Sequence, residues 1–188
     1  MISKKRQAFK VRKINPKFWV FCEGKTEEAY VNYLRIKYRL PIKIISKVLG
    51  QKIDQRIISS YINEKEKHEK DKVFLLYDAD VESLLNNLLK IEDVTLLVSN
   101  PCVEYWFLLH YKSQMAAITE ENCIRELKNR NGKYKKGYID KKLEECLNKK
   151  QKKACDRAKK TFLYKNPSSN IYCFINDLEN AKNINKVN

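Results

Sequence analysis

Between Lys72 and Glu82 the chain reads KVFLLYDADVE. Val73 to Tyr77 is an unbroken apolar run, short and rich in β-formers, which predicts a strand buried on both faces. Asp78 and Asp80 follow at once, with only Ala79 between them. In open α/β sheets, ligands sit beyond the carboxyl ends of the strands. Asp-x-Asp leaving a central strand therefore presents two carboxylates at such an edge, and hard divalent cations prefer carboxylate oxygens. The competing reading is a helix N-cap, a common use of Asp at a strand-to-helix turn.

Other segments supply the layers such a strand needs. Phe18 to Cys22 predicts a first buried strand, ended by Glu23-Gly24, and Gly24 permits a tight turn into a helix over 25–39 stopped by Pro41. Ala29, Tyr30, Tyr33, Leu34 and Lys37 recur at helical spacing, which makes the two tyrosines core residues. Ile42 to Leu49 predicts a second strand with Ile42, Ile44 and Val48 on one face; a helix follows over 53–67. After the Asp-Ala-Asp stretch, Leu84, Leu85, Leu88 and Leu89 mark another helix, and Val94 to Val98 a fourth strand. This alternation predicts a parallel sheet of about four strands covered on both faces.

Glu27 lies four residues after Glu23, so both acids can reach one site from a strand end and the first helical turn; Glu27 and Glu28 would equally complement the positive end of the helix dipole. The fourth strand runs into Ser99-Asn100-Pro101-Cys102-Val103-Glu104, where Pro101 suits the first turn of a helix. Glu104, flanked by Trp106, Phe107, Leu108 and Leu109, is out of place as a packing residue. It would bind a metal or pair with a buried Lys or Arg. His110 reads as a helix-end core or capping residue.

From residue 112 the chain predicts a basic helical extension packed on a core spanning 17–111, in one compact domain. Thr119 caps a helix over 120–130, Asn131–Gly137 is a basic turn, and two helices occupy 139–147 and 151–163. Asn166–Asn170 forms a turn and cap before a helix over 171–178.

The net charge is +16 over 188 residues, and residues 1–16 form a basic arm without an acid. Such an excess favours a polyanionic partner, nucleic acid by default. The basic side chains available for it are Lys25, Lys133, Lys135, Lys136, Lys152, Lys153, Arg157, Lys160 and Lys165. The six cysteines include no CxxC pair, no Cys/His set has zinc spacing, and no glycine-rich phosphate loop occurs. No apolar stretch approaches the length of a membrane span and no export signal is visible, so a cytoplasmic protein without a membrane partner is expected. Assembly into a homo-oligomer stays open.

Glu23-Gly24 at one strand end, Glu27 beyond it and Asp78-x-Asp80 at another resemble the Toprim fold of topoisomerases, primases and OLD-type nucleases. EGKTEEAY (Glu23–Tyr30), SNPCVEYWFLLHY (Ser99–Tyr111) and NPSSNIY (Asn166–Tyr172) further resemble the RloB-like family, across Phe18 to about Leu178. That resemblance implies a Rossmann-like Toprim core, Mg²⁺-dependent (or Mn²⁺-dependent) nuclease activity on DNA or on tRNA and other RNA, and an anti-phage defence or abortive-infection role, often beside an ABC-type ATPase. It implies Glu23 as metal ligand or general acid/base, Asp78 and Asp80 as metal ligands and Glu27 as the second acid of an EG-x-x-E pattern. Asn100 and Glu104 would belong to the site, Asn100 on the nucleic-acid side and Glu104 among the catalytic acids. Some such nucleases use a catalytic lysine, for which Lys25 and Lys165 are candidates. A non-catalytic nucleic-acid-binding or regulatory subunit of an ATPase complex is the alternative. A topoisomerase or primase role has less behind it, since no nucleophilic tyrosine module or primase zinc motif is present.

Overall fold

A computed structural model describes residues 16–40 and 43–184. The basic arm and Ile42 lie outside them, apart from Pro16. Five strands form one mixed sheet: β1 (Lys17–Cys22), β2 (Lys43–Val48), β3 (Lys72–Asp78), β4 (Thr95–Asn100) and β5 (Ser168–Ser169). Their order is β2-β1-β3-β4-β5, with every pair parallel except β4 and β5. The helices are α1 (Lys25–Tyr38), α2 (Gln55–Asn63), α3 (Glu82–Leu88), α4 (Val103–Tyr111), α5 (Glu120–Arg130), α6 (Lys141–Ala158) and α7 (Tyr172–Ile184).

Side chains alternate across a strand, so β1 and β3 divide their residues between two cores. Phe18, Val20, Cys22, Phe74 and Leu76 face a large core shared with α1, α4, α5, α6 and α7. Trp19, Phe21, Leu75 and Tyr77 face a smaller one closed by Ile58 of α2 and by Leu84 and Leu88 of α3. This explains why the runs Phe18–Cys22 and Val73–Tyr77 have no polar interruption: neither face of the central strands meets water. α4 is buried almost all round, and α5 and α6 pack on it, so residues after 112 complete the same core as the sheet.

Three expectations need correction. The predicted helices over 139–147 and 151–163 are one helix, α6, capped by Asp140, whose side chain accepts from the Leu143 N–H at 2.7 Å. Its buried residues Leu143, Cys146, Leu147, Ala154 and Ala158 keep one stripe, and the Asn148–Lys150 stretch contains no residue that would break a helix. Pro101 precedes α4 and is not in its first turn; Cys102 is the N-cap. The turn at Asn166–Asn170 also contains β5, which pairs antiparallel with β4 through Ser99 with Ser169 and Asn100 with Ser168. Asn170 extends that pairing with its side chain: its amide oxygen accepts from Val98 N–H at 2.6 Å and its amide nitrogen donates to Leu96 carbonyl at 2.9 Å.

His110 is buried on α4, donates from Nδ1 to the Trp106 carbonyl at 3.0 Å, and is pulled by burial down to about 3, as a neutral core histidine should be. All six cysteines are free thiols, with Cys22, Cys102, Cys123 and Cys146 buried. Among the described residues no helix is long and apolar enough to cross a membrane.

Candidate active site

β1 lies between β2 and β3, so the chain leaves it in one direction and later returns on its other side. The crevice of an open α/β sheet forms at that reversal, beyond the strand ends. A cleft of about 480 Å³ lies there, with Glu23, Glu27, Asp78 and Asp80 in its wall alongside Lys25 and Lys136.

Two backbone contacts set this geometry. The Glu23 N–H donates to the Leu76 carbonyl at 3.1 Å, carrying the β1–β3 pairing one residue past the strand end. The Asp78 N–H then donates to Glu23 Oε2 at 3.0 Å, while Glu23 Oε1 accepts from Gln51 Nε2 at 3.1 Å. Glu23 is thereby turned toward the end of β3. Glu27, in the first turn of α1, is only 5% exposed, and its Oε2 accepts from the Gly24 N–H at 3.0 Å. It does cap the helix start, yet burial, with the charges of Glu104 and Glu23, pushes it up to about 7 against the pull of its backbone hydrogen bonds. Asp78 does not cap α3: the N-cap there is Val81, with no side-chain cap bond. Asp78 Oδ1 is instead sealed from solvent without a hydrogen-bond partner. Burial, then the charges of Glu27, Glu23, Glu104 and Asp80, hold this carboxyl well above the ordinary carboxylate range.

Glu104 lies behind the cleft wall, 1% exposed. Its Oε1 accepts from the Tyr134 hydroxyl at 2.7 Å, with Lys136 Nζ at 4.0 Å, and its Oε2 has no partner. The lysine near one Glu104 oxygen is an exposed one, not the buried Lys or Arg of the second alternative, and the other oxygen is unsatisfied. Tyr134 and Lys136 arrive on the Asn131–Gly137 turn, which closes against the start of α1. There the Gly137 N–H donates to Thr26 Oγ1 at 2.9 Å. Gly137 has φ +73°, and an added Cβ would lie 3.3 Å from the Lys25 Cβ, so both the backbone angle and the close approach call for glycine. Lys136 also bridges to Glu120.

Removing the Tyr134 hydroxyl takes away the hydrogen bond to the buried Glu104 carboxyl. Tyr134→Phe is expected to lower stability by about 1–3 kcal/mol, the usual cost of an unsatisfied buried acceptor. Thermal unfolding measures it, and adding Glu104→Gln should recover part of the loss, because a neutral amide is cheaper to bury than an anion.

The other sequence candidates separate. Asn100 is buried beneath the acid loop, and its side-chain amide donates to the Ala79 carbonyl at 2.9 Å and the Tyr164 carbonyl at 3.1 Å. Arg157 is half-buried and donates to the Leu109 carbonyl at 2.5 Å, closing the end of α4. Lys133, Lys135, Lys152, Lys153, Lys160 and Lys165 are exposed but outside the cleft wall, whereas Lys25 is exposed within it. Gln51, Thr26, Glu120 and Tyr134 belong to the site and were not anticipated. Gln51 directly follows Gly50 beyond the end of β2, so the strand-end rule could have found it; Tyr134 carried no such signal.

Among the described residues no three His, Cys, Asp or Glu side chains converge closely enough to enclose an ion as they stand. The donor set nonetheless suits a hard divalent cation in charge and atom type. Its acids oppose one another's ionisation, and two carboxylate oxygens lack partners.

Fold and site define an α/β protein with an acidic cleft at the carboxyl edge of its sheet. The family described as RloB-like protein matches residues 18–178, and the chain belongs to this RloB-like family. Neither curated proteins nor solved structures give a significant match.

Proposed function

We propose that the chain is a metal-dependent nuclease with a Toprim-like core that hydrolyses phosphodiester bonds in nucleic acid, and that it serves as an anti-phage effector. The observation that carries this reading is the gathering of Glu23, Glu27, Asp78 and Asp80 in one cleft of a chain with net charge +16. A surface so cationic overall gains nothing for polyanion binding from an acidic cleft unless a cation enters it. Glu23, Asp78 and Asp80, with Glu27, would hold Mg²⁺ or Mn²⁺. Such an ion supplies Lewis-acid stabilisation of phosphate oxygens and acidifies water.

The chain's own groups do the rest. Gln51 and the Asp78 N–H orient Glu23. Glu27, with its pKa raised to about 7, can hold or release a proton near neutrality. Lys25 and Lys136 bring positive charge to the cleft wall, and the positive end of α1 points to the same place. The exposed lysines beyond the cleft would give salt-dependent, largely sequence-independent affinity.

A second reading, a non-catalytic nucleic-acid-binding or regulatory subunit of an ABC-type ATPase complex, draws on one observation: the acids do not yet converge as a metal cage. Incubating the purified chain with labelled tRNA, single-stranded DNA and duplex DNA, each with Mg²⁺, Mn²⁺ or EDTA, separates the two. The nuclease reading expects cleavage of at least one substrate with metal and none in EDTA. Binding without cleavage, or cleavage only with an added ATPase, decides for the second.

A further inference from the structure

The turn after α6 carries Phe162, 81% exposed, and Leu163, 43% exposed. Single exposed apolar residues are ordinary on a protein surface. This pair is distinguished by how firmly it is held. The Thr161 N–H and hydroxyl both donate to the Ala158 carbonyl, at 3.0 and 2.7 Å. The Lys165 N–H donates to the Phe162 carbonyl at 3.0 Å. Tyr164 has φ +67°, a left-handed backbone that residues with a Cβ rarely adopt. The Tyr164 carbonyl is bound by Asn100, whose same nitrogen binds Ala79 between the two aspartates. One side-chain amide thus fastens the acid loop to an ordered turn that projects a phenyl ring into solvent. Lys160 and Lys165 are exposed on either side of that ring in sequence.

We propose that Phe162 and Leu163 form a stacking platform for an unpaired base, so that the cleft takes single-stranded or looped nucleic acid in preference to a closed duplex. The inference rests on the nuclease reading only for what happens to the bound strand. Aromatic side chains flanked by cations suit this ligand: every base offers a π-face, and the adjoining phosphates pair with lysine. A closed duplex offers no base face away from its ends. The Asn100 amide ties the turn that carries the platform to the backbone between Asp78 and Asp80. Tyr138, 61% exposed, is a second exposed ring and follows the cleft residue Gly137 in the chain.

The test is fluorescence anisotropy in EDTA, where no metal-dependent cleavage intervenes. The full chain is titrated with a labelled single-stranded oligonucleotide containing 2-aminopurine, a blunt-ended two-strand duplex of equal length, and phosphatidylglycerol vesicles. Phe162→Ala is expected to weaken single-strand binding about 10-fold, within the range for losing one stacked base. It should abolish 2-aminopurine quenching and leave duplex affinity unchanged, while Phe162→Trp restores both signals. Equal single-strand affinity in wild type and Phe162→Ala overturns the proposal. So does an equal loss for single strand and duplex, or a loss confined to vesicles. Binding that depends on Phe162 without cleavage under any metal keeps the platform and removes the nuclease reading. Cleavage that is indifferent to Phe162 does the reverse. A wild-type chain that binds no nucleic acid ends both.

Discussion

Asp78→Asn is expected to abolish the proposed Mg²⁺-dependent cleavage and to leave the chain folded. The aspartate is the last residue of β3, and its backbone N–H, which orients Glu23, is untouched by the substitution. What disappears is a carboxyl able to ionise against a cation, with one oxygen unpartnered. A metal-linked charge interaction supplies several kcal/mol at the transition state. At 1.36 kcal/mol per decade, its loss corresponds to a fall in rate on the order of 10³-fold. The same change relieves the repulsion that Asp78 shares with Glu27, Glu23, Glu104 and Asp80. The unfolding midpoint in EDTA should therefore hold or rise while activity vanishes. A variant that still cleaves at the wild-type rate would remove Asp78 from the chemistry, and one that unfolds would mark it as structural.

The second large effect is on stability as a function of pH. Glu27 is raised from 4.5 to about 7 in the folded chain. Across that interval the folded state keeps a proton that the unfolded state has released. Stability therefore falls as pH rises from about 4.5 through 7 and stays reduced above it. For Glu27 alone the drop is about 3 kcal/mol, from a pKa difference worth 1.36 kcal/mol per unit, and Asp78 shifts in the same direction. Glu27→Gln keeps an oxygen able to accept from Gly24 N–H and removes the titration. The difference between wild type and Glu27→Gln in EDTA should grow with pH across this window. Mg²⁺ at pH 8 should recover stability in the wild type, by about 2.7 kcal/mol at a hundred times its dissociation constant. Parallel pH profiles for the two proteins would show that Glu27 titrates as an ordinary surface acid.

Much of this site is readable without coordinates because it follows from a rule about sheets. Glu23 and Asp78 each sit at the end of an apolar run long enough to be a buried strand, and both strand ends fall on one edge if the strands are parallel. Glu104 was visible as a charge in an apolar helix, though its partner was not. Tyr134 reaches it across a sequence separation of 30 residues, from a turn whose folding back onto α1 depends on Gly137 and Thr26. No local pattern encodes that contact. The missed strand has a different cause. Ser168 and Ser169 have no β-propensity, follow Pro167, and pair over two residues only; they are a strand because β4 offers an unpaired edge. The single helix α6 reads as two in sequence because its buried stripe is bare between Leu147 and Ala154, where a solvated face looks the same as a break.

That two-residue strand also closes the last open edge of β4, late in the sequence. The carboxylates of the cleft are translated early, but the edge of β4 stays open until Ser168 to Asn170 emerge. The aromatic layer of Phe18 and Phe74 likewise waits for Phe174. A nascent chain halted before residue 168 would leave the ribosome with a bare sheet margin, ready to pair with another copy. Its β4 would lack the Asn170 amide and Ser169 contacts that complete that strand. An unfinished polypeptide would carry every acid of the cleft, and the contacts that orient Glu23 and Glu27, on a sheet still open at one edge.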